Sequence, residues 1–269
     1  MDLPNVSSVA SPRTRAELPG EQPGSAWLAG GTWLFSEPQP GLRRLVDLTA
    51  MGWPALEVSA AGLRIGATCT IAELEAFEAP PDWLAAPLLG ACCRALLGSF
   101  KIWTMATVGG NACLALPAAP MLALTVALDG AAAVWRPDGS DASVPMRDFA
   151  LGPQRTVLGA GDVLRAIDLP VAALRRRTAW RQASLQAMGR SAALLVGALT
   201  PDGFALTVTA STARPLRRCW TPPPTAAEVD AWLTAIPASL WFEDGHGALP
   251  WRRHMTRRLA AELHAELLR

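Results

Sequence analysis

Over the first 170 residues, short apolar segments are interrupted by glycine, proline or acidic residues at short intervals. "AWLAGGTWLF" (26–35) predicts a short strand running into a Gly-Gly turn, and "RRLVDLT" (43–49) predicts a second strand. "LEVSAAGLRIGATCT" (56–70) alternates on both sides of Ala61-Gly62, the pattern of a hairpin. Thr70, with Glu73 three residues on, forms the capping box of a helix over "IAELEAF". A longer helix is expected from Pro87 to about Gly98, with Leu88, Leu89, Cys92, Leu96 and Leu97 on one side. A hairpin around Pro137-Asp138-Gly139 (131–146) and an alternating strand at 162–170 close this half.

"AWRQASLQ", "AALLVGAL" and "FALTVTAS" predict three strands, the last two joined by a turn at "TPDG" (200–203). "TPPPT" (221–225) introduces a helix at 226–236. A final helix is expected over 251–268, with Trp251, Met255, Leu259, Leu263 and Leu267 spaced by four along one side. The arginine run near 175 marks a boundary. The expected organisation is a Pro- and Ser-rich, partly disordered tail (1–24), a mixed domain (25–172), and a sheet-plus-helices domain (176–269). The fold class is α+β.

Composition narrows the function classes. The chain has 269 residues, 51% of them hydrophobic and 17% charged, with a net charge of +1. That balance offers no electrostatic argument for nucleic acid. The basic clusters "LRRRT" (174–178) and "WRRHMTRR" (251–258) read as solvated faces. No segment approaches the roughly 20 apolar residues a membrane helix needs, and the N-terminus lacks the apolar core of a secretory signal. Five cysteines without a CxxC pair point to free thiols in a reducing compartment, with no zinc or iron–sulfur cluster on this chain. A cytoplasmic location is expected. The three histidines, His246, His254 and His264, lie in the C-terminal region and read as surface residues. Hydrolase elbows, metalloprotease motifs and phosphate-binding loops ending in Gly-Lys-Ser/Thr are absent, as is tyrosine.

Two glycine loops remain, "LAGGTW" (28–33) and "TVGGN" (107–111), each beside an apolar run. Glycine lets a backbone approach a ligand closely, and consecutive free N–H groups form an anion nest. Each loop alone reads more readily as an ordinary turn. Together they could hold the two phosphates of a dinucleotide, although no GxGxxG fingerprint is present.

In order and spacing these loops resemble the FAD-binding subunit of molybdenum hydroxylases, the group of xanthine dehydrogenase, aldehyde oxidoreductase and carbon monoxide dehydrogenase. That family pairs an "AGGTD"-like loop with a "TVGGN" loop about seventy-five residues on, followed by a proline- and alanine-rich segment. "LGAGDVLRAIDLP" (158–170), "TAWRQAS" (178–184) and the closing "GHGALPWRRHMTRRLAAELHAEL" also match, so the resemblance spans about residues 26 to 267. It implies a two-lobed FAD-binding domain of the vanillyl-alcohol oxidase (PCMH) type, then a CO dehydrogenase flavoprotein-like domain of antiparallel strands and helices.

The resemblance also implies a site. The FAD pyrophosphate would be wrapped by Leu28, Ala29, Gly30, Gly31, Thr32 and Trp33 from the first loop, and by Thr107, Val108, Gly109, Gly110 and Asn111 from the second. Leu97 and Leu164 would lie near the flavin, and Arg181 matches a basic position that reaches toward it. No residue of this chain is assigned an acid–base role or a metal. The implied activity is that of an oxidoreductase subunit. Electrons from the 2Fe-2S clusters of a partner chain would pass through FAD to NAD or another acceptor, while a molybdopterin subunit of the heterotrimer oxidises the substrate.

Two departures stand out. Trp33 occupies a usually acidic position, and Pro120 stands where an aspartate usually holds the adenosine ribose. Each lost charged hydrogen bond is worth roughly 1.5–3 kcal/mol, about ten- to a hundredfold in affinity. A structural subunit that has lost FAD is therefore the alternative reading. A stand-alone flavin oxidase fits less well, since nothing resembles a substrate domain or a histidine for covalent flavin attachment.

Overall fold

A computed structural model describes residues 3–20 and 22–269. Three short parallel strands build an N-terminal lobe: β1 (Ser8–Ala10), β2 (Ser25–Leu28) and β3 (Arg44–Asp47), in the order β1-β3-β2. Leu45 and Val46 of the central strand are buried. The stretch expected to be a tail thus contributes an edge strand: Ser8, Val9 and Ala10 pair in register with Arg44, Leu45 and Val46. The pairing is parallel and more than thirty residues distant in sequence, so local pattern could not show it.

The middle part is an antiparallel five-stranded sheet backed by helices. Its elements are β4 (Leu56–Ser59), β5 (Gly62–Gly66), α1 (Ile71–Glu75), α2 (Ala86–Ala95), α3 (Phe100–Trp103), α4 (Val108–Leu114) and α5 (Pro120–Ala127). The chain continues through β6 (Ala131–Trp135), β7 (Asp141–Pro145), α6 (Met146–Phe149), a small hairpin of β8 (Ala150–Gly152) and β9 (Arg155–Thr156), and β10 (Val163–Pro170). The strand order is β4-β5-β10-β6-β7. Both expected hairpins form, and the Thr70–Glu73 capping box is present with both reciprocal hydrogen bonds. The long helix ends at Ala95, so Leu97 lies beyond α2 in an exposed link.

After α7 (Val171–Leu174) comes a four-stranded antiparallel sheet of β11 (Thr178–Ala183), β12 (Ala193–Thr200), β13 (Gly203–Thr209) and β14 (Leu216–Trp220), in that order. α8 (Ala226–Thr234) and α9 (Leu249–Leu267) complete the chain. β14 escapes the sequence pattern because "LRRCW" carries two arginines: Arg218 and Cys219 are exposed on this edge strand, whereas the Arg217 side chain is buried against Asp129 at 3.0 Å.

This second sheet is covered on both faces. Leu195, Leu206 and Val208 pack toward α8 and α9, whereas Leu194 and Val196 join the cores that hold α2 and α5. β12 and β13 therefore read as continuous apolar runs rather than alternating ones. α5 lies between the two sheets and all eight of its residues are buried. This placement explains why "PMLALTVA" carries no polar face.

Burial also sets the reactivity of the thiols. Cys69, Cys93 and Cys113 are pushed up to about 12, with burial the leading cause in each case, and burial raises Cys92 as well. Cys219 alone is exposed. A thiol reagent at pH 8 should label one cysteine quickly in the native chain and the other four only on unfolding. Rapid native labelling of two or more would contradict this packing.

Candidate functional site

The first loop leaves β2 at Leu28 and runs beside the segment that precedes α4. Gly30 faces the backbone of Met105: a β-carbon on Gly30 would sit 1.6 Å from the Met105 carbonyl oxygen. Only glycine permits that approach. Gly31 turns the chain with φ +70°, and Phe35 N–H donates to the Gly31 carbonyl at 2.9 Å. The amides of Gly30, Gly31, Thr32 and Trp33 meet no protein acceptor among the described residues. Four successive N–H groups without partners, on half-buried residues, form the kind of backbone nest that accepts an anion.

The second stretch is not the open loop that its Gly-Gly pair suggested. Thr107, 3% exposed, is the N-cap of α4, and its hydroxyl accepts from Gly110 N–H at 3.0 Å. Val108 N–H donates to the Cys69 carbonyl at 2.8 Å, Gly109 N–H to Ala67 at 3.0 Å, and Asn111 N–H to Thr107 at 2.9 Å. The amides of Val108, Gly109, Gly110 and Asn111, four of the five residues expected to face phosphate, are already engaged. Gly109 is a packing glycine, since a β-carbon there would lie 2.5 Å from the Ala67 carbonyl oxygen. Gly110 differs: it is exposed, and a β-carbon would meet only the Thr107 hydroxyl, at 2.8 Å. A side chain there meets no backbone and asks only the Thr107 hydroxyl to shift. The stretch thus offers an open backbone surface rather than a second set of donors.

Asn111 has a structural task. Its side-chain oxygen accepts from Met121 N–H at 3.1 Å, at the first turn of α5. Pro120, buried at the start of that helix, has no N–H to satisfy, and its ring presets the helical φ. The proline in place of the expected acidic residue is therefore built into a helix start. Met121 is fully buried, so Asn111→Ala leaves its amide without a partner and should cost about 1–3 kcal/mol, measured by denaturant unfolding.

The remaining expected residues divide. Leu164 is 4% exposed in the middle core, while Leu97 is 57% exposed after α2. Trp33 is half-buried and its carbonyl accepts from Ser36. Arg181 does not join them. It shares a face of β11 with Ala179 and Ala183, which pack toward α9, whereas neighbouring Trp180 packs toward the middle core. Its guanidinium pairs with Glu262 at 3.3 Å and Glu266 at 2.5 Å, both on α9. The period-two alternation of a strand turns position 181 toward α9.

The pattern of the first 170 residues matches a family model, the FAD binding domain in molybdopterin dehydrogenase, over residues 5–172. No curated protein matches in sequence. Among solved structures, a chain of the cyanide-inactivated Cu,Mo-CO dehydrogenase is similar at 24% identity, covering 97% of this chain and 99% of its own length, with a TM-score of 0.82. A chain of the reconstituted CO dehydrogenase from Oligotropha carboxidovorans is 24% identical over 98% of this chain and 99% of that one, with a TM-score of 0.81. A chain of quinoline 2-oxidoreductase from Pseudomonas putida 86 is 19% identical over 99% and 98%, with a TM-score of 0.79. These likenesses extend the shared fold through the C-terminal domain. The free amides of the first loop, the tight lobe contact at Gly30 and the family match converge: this chain belongs to the FAD-binding domain family of molybdopterin dehydrogenases and is an oxidoreductase flavoprotein component.

Proposed function

We propose that this chain is the electron-transfer subunit of a molybdenum hydroxylase complex, relaying electrons from an iron–sulfur partner chain to NAD or another acceptor. The observation that carries the reading is the row of unpartnered amides at Gly30 to Trp33, in a chain whose family binds FAD. The residues fit a pyrophosphate: the nest supplies donors without a basic side chain, and the open surface at Gly110 admits close approach. Bound FAD supplies redox chemistry that no side chain here offers. The chain's own residues bind and orient. The first loop holds the phosphates, α4 backs it with a rigid, internally satisfied turn, and the buried core around Leu164 keeps this support rigid.

A partner subunit supplies the clusters on this reading. Among the described residues, no group of His, Cys, Asp and Glu has the placement to hold a metal ion. The cyanide-inactivated CO dehydrogenase, one of whose chains this one resembles, is a copper- and molybdenum-containing enzyme, which supports a molybdenum-containing partner here. The test is to express the chain with its neighbouring genes and to size the tagged product. We expect a co-eluting complex with flavin and iron–sulfur absorbance, bleached by substrate and reoxidised by the acceptor. A stable, cluster-free monomer under those conditions would refute the subunit assignment.

A further inference from the structure

The N-terminal lobe carries the first loop, and the middle part carries the segment that the loop touches, so their spacing sets the site. Besides the Gly30–Met105 contact, the Arg15 side chain crosses this junction. Arg15 sits in a short turn (Arg15–Glu17) between β1 and β2. Its Nη1 donates to Asp141 at 2.6 Å and its Nη2 to the Ser140 carbonyl at 2.7 Å, both at the tip of the β6–β7 hairpin. Its guanidinium also lies 4.9 Å from the centre of the Trp135 ring.

The stack continues beneath it. Trp135 meets Trp53 edge to face at 5.5 Å, and Arg165 of β10 lies 4.6 Å from the Trp53 ring and 5.9 Å from Trp135. Trp53 lies in the link between the lobe and β4. The layer thus alternates cation and ring from the lobe into the central strand of the sheet. A buried Arg165 nitrogen, Nη1, has no hydrogen-bond partner, so the ring faces supply much of that cation's compensation.

We infer that Arg15, seated on Trp135 and the hairpin tip, is a positioning residue for the cofactor, holding the lobe so that the Gly30–Trp33 amides stay against the second lobe. The inference rests on the FAD reading above. It concerns how the site is held, not what binds there. The components rank by exposure. Asp141 is 71% exposed, so solvent screens its pair with Arg15. The ring contact and the carbonyl bond carry the effect.

The test follows FAD release from the full chain by the rise in free-flavin fluorescence, and amide hydrogen exchange of the flavin-free chain across residues 22–47. Arg15→Ala should speed release about three- to tenfold, the scale of a cation–π contact plus one hydrogen bond, and should accelerate exchange in the lobe. Arg15→Lys, which keeps the cation over the ring, should recover part of the retention. Asp141→Asn should change release less than twofold, because the pair is solvent-screened. If Arg15→Ala releases flavin at the wild-type rate with unchanged lobe exchange, the inference is overturned. If it lowers only the melting temperature, the role is merely structural and the inference is equally overturned. Should the wild-type chain take up no flavin, the cofactor reading fails by itself, and lobe exchange in Arg15→Ala still decides whether the contact holds the lobe.

Discussion

Replacing Arg252 with methionine should lower stability by about 3–5 kcal/mol, the usual penalty for removing one partner of a buried, hydrogen-bonded charge. Arg252 is 1% exposed at the start of α9. Its Nε donates to the Gly247 carbonyl at 2.8 Å, and its Nη1 to Ala192 at 3.2 Å and Ala210 at 2.5 Å. Its Nη2 pairs with Asp244. One planar fork therefore joins the last helix, β12, the end of β13 and the loop before α9. The substitution strands three buried carbonyls and a carboxylate. Lysine, a point charge with no fork, should rescue only part of the loss. Thermal unfolding reads the effect as a drop of about 10 °C or more for a domain of this size. A shift of under 2 °C would mean that the network contributes little. Flavin content at low temperature should stay at the wild-type level, since these contacts lie within the C-terminal domain.

The second large effect belongs to the site. Gly30→Ala places a methyl 1.6 Å from the Met105 carbonyl oxygen, and backbone cannot yield as a side-chain tip can. The loop must move off the second lobe, and its amide row moves with it. Flavin retention should fall at least tenfold, about what one lost charge-assisted contact accounts for. Gly110→Val provides the contrast, because only the Thr107 hydroxyl is near the new side chain and position 110 is helical and exposed. Its melting temperature should stay close to wild type while flavin content falls, as the side chain occupies the approach to the backbone. Equilibrium dialysis with FAD reads both variants. A Gly110→Val chain that keeps full flavin would remove position 110 from the site.

These two residues show where sequence reasoning reached and where it stopped. Arg252 lies in "WRRHMTRR", a cluster whose charge reads as solvated, yet it occupies the same helical face as Thr256, Leu259, Leu263 and Leu267, all buried. A four-residue spacing tallied from the apolar side chains alone picked Trp251 and Met255 instead, which are half-buried. Counting position 252 into the stripe would have flagged a buried cation needing partners.

The capping box at Thr70 and the turn at Pro137–Gly139 were legible because their chemistry is contained within a few residues. The first glycine loop was likewise legible as a Gly-Gly turn with exposed backbone. The second was legible in position but not in role. Gly109 is held by Ala67, some forty residues away, and tertiary contact turned an apparent loop into a capped helix. The partners of Arg181 were not legible for a related reason: what a strand side chain meets depends on which layers cover its sheet, and here α9 supplies Glu262 and Glu266.

The most direct measurement is FAD titration into the flavin-stripped, full-length chain, followed by absorbance and by flavin fluorescence. The account predicts saturable, stoichiometric binding, weakened by Gly30→Ala and by Gly110→Val but not by Arg181→Gln, since Arg181 is paired within the C-terminal domain. No uptake of FAD by a folded wild-type chain would contradict it, and would leave a structural subunit that keeps the fold of its family without the cofactor.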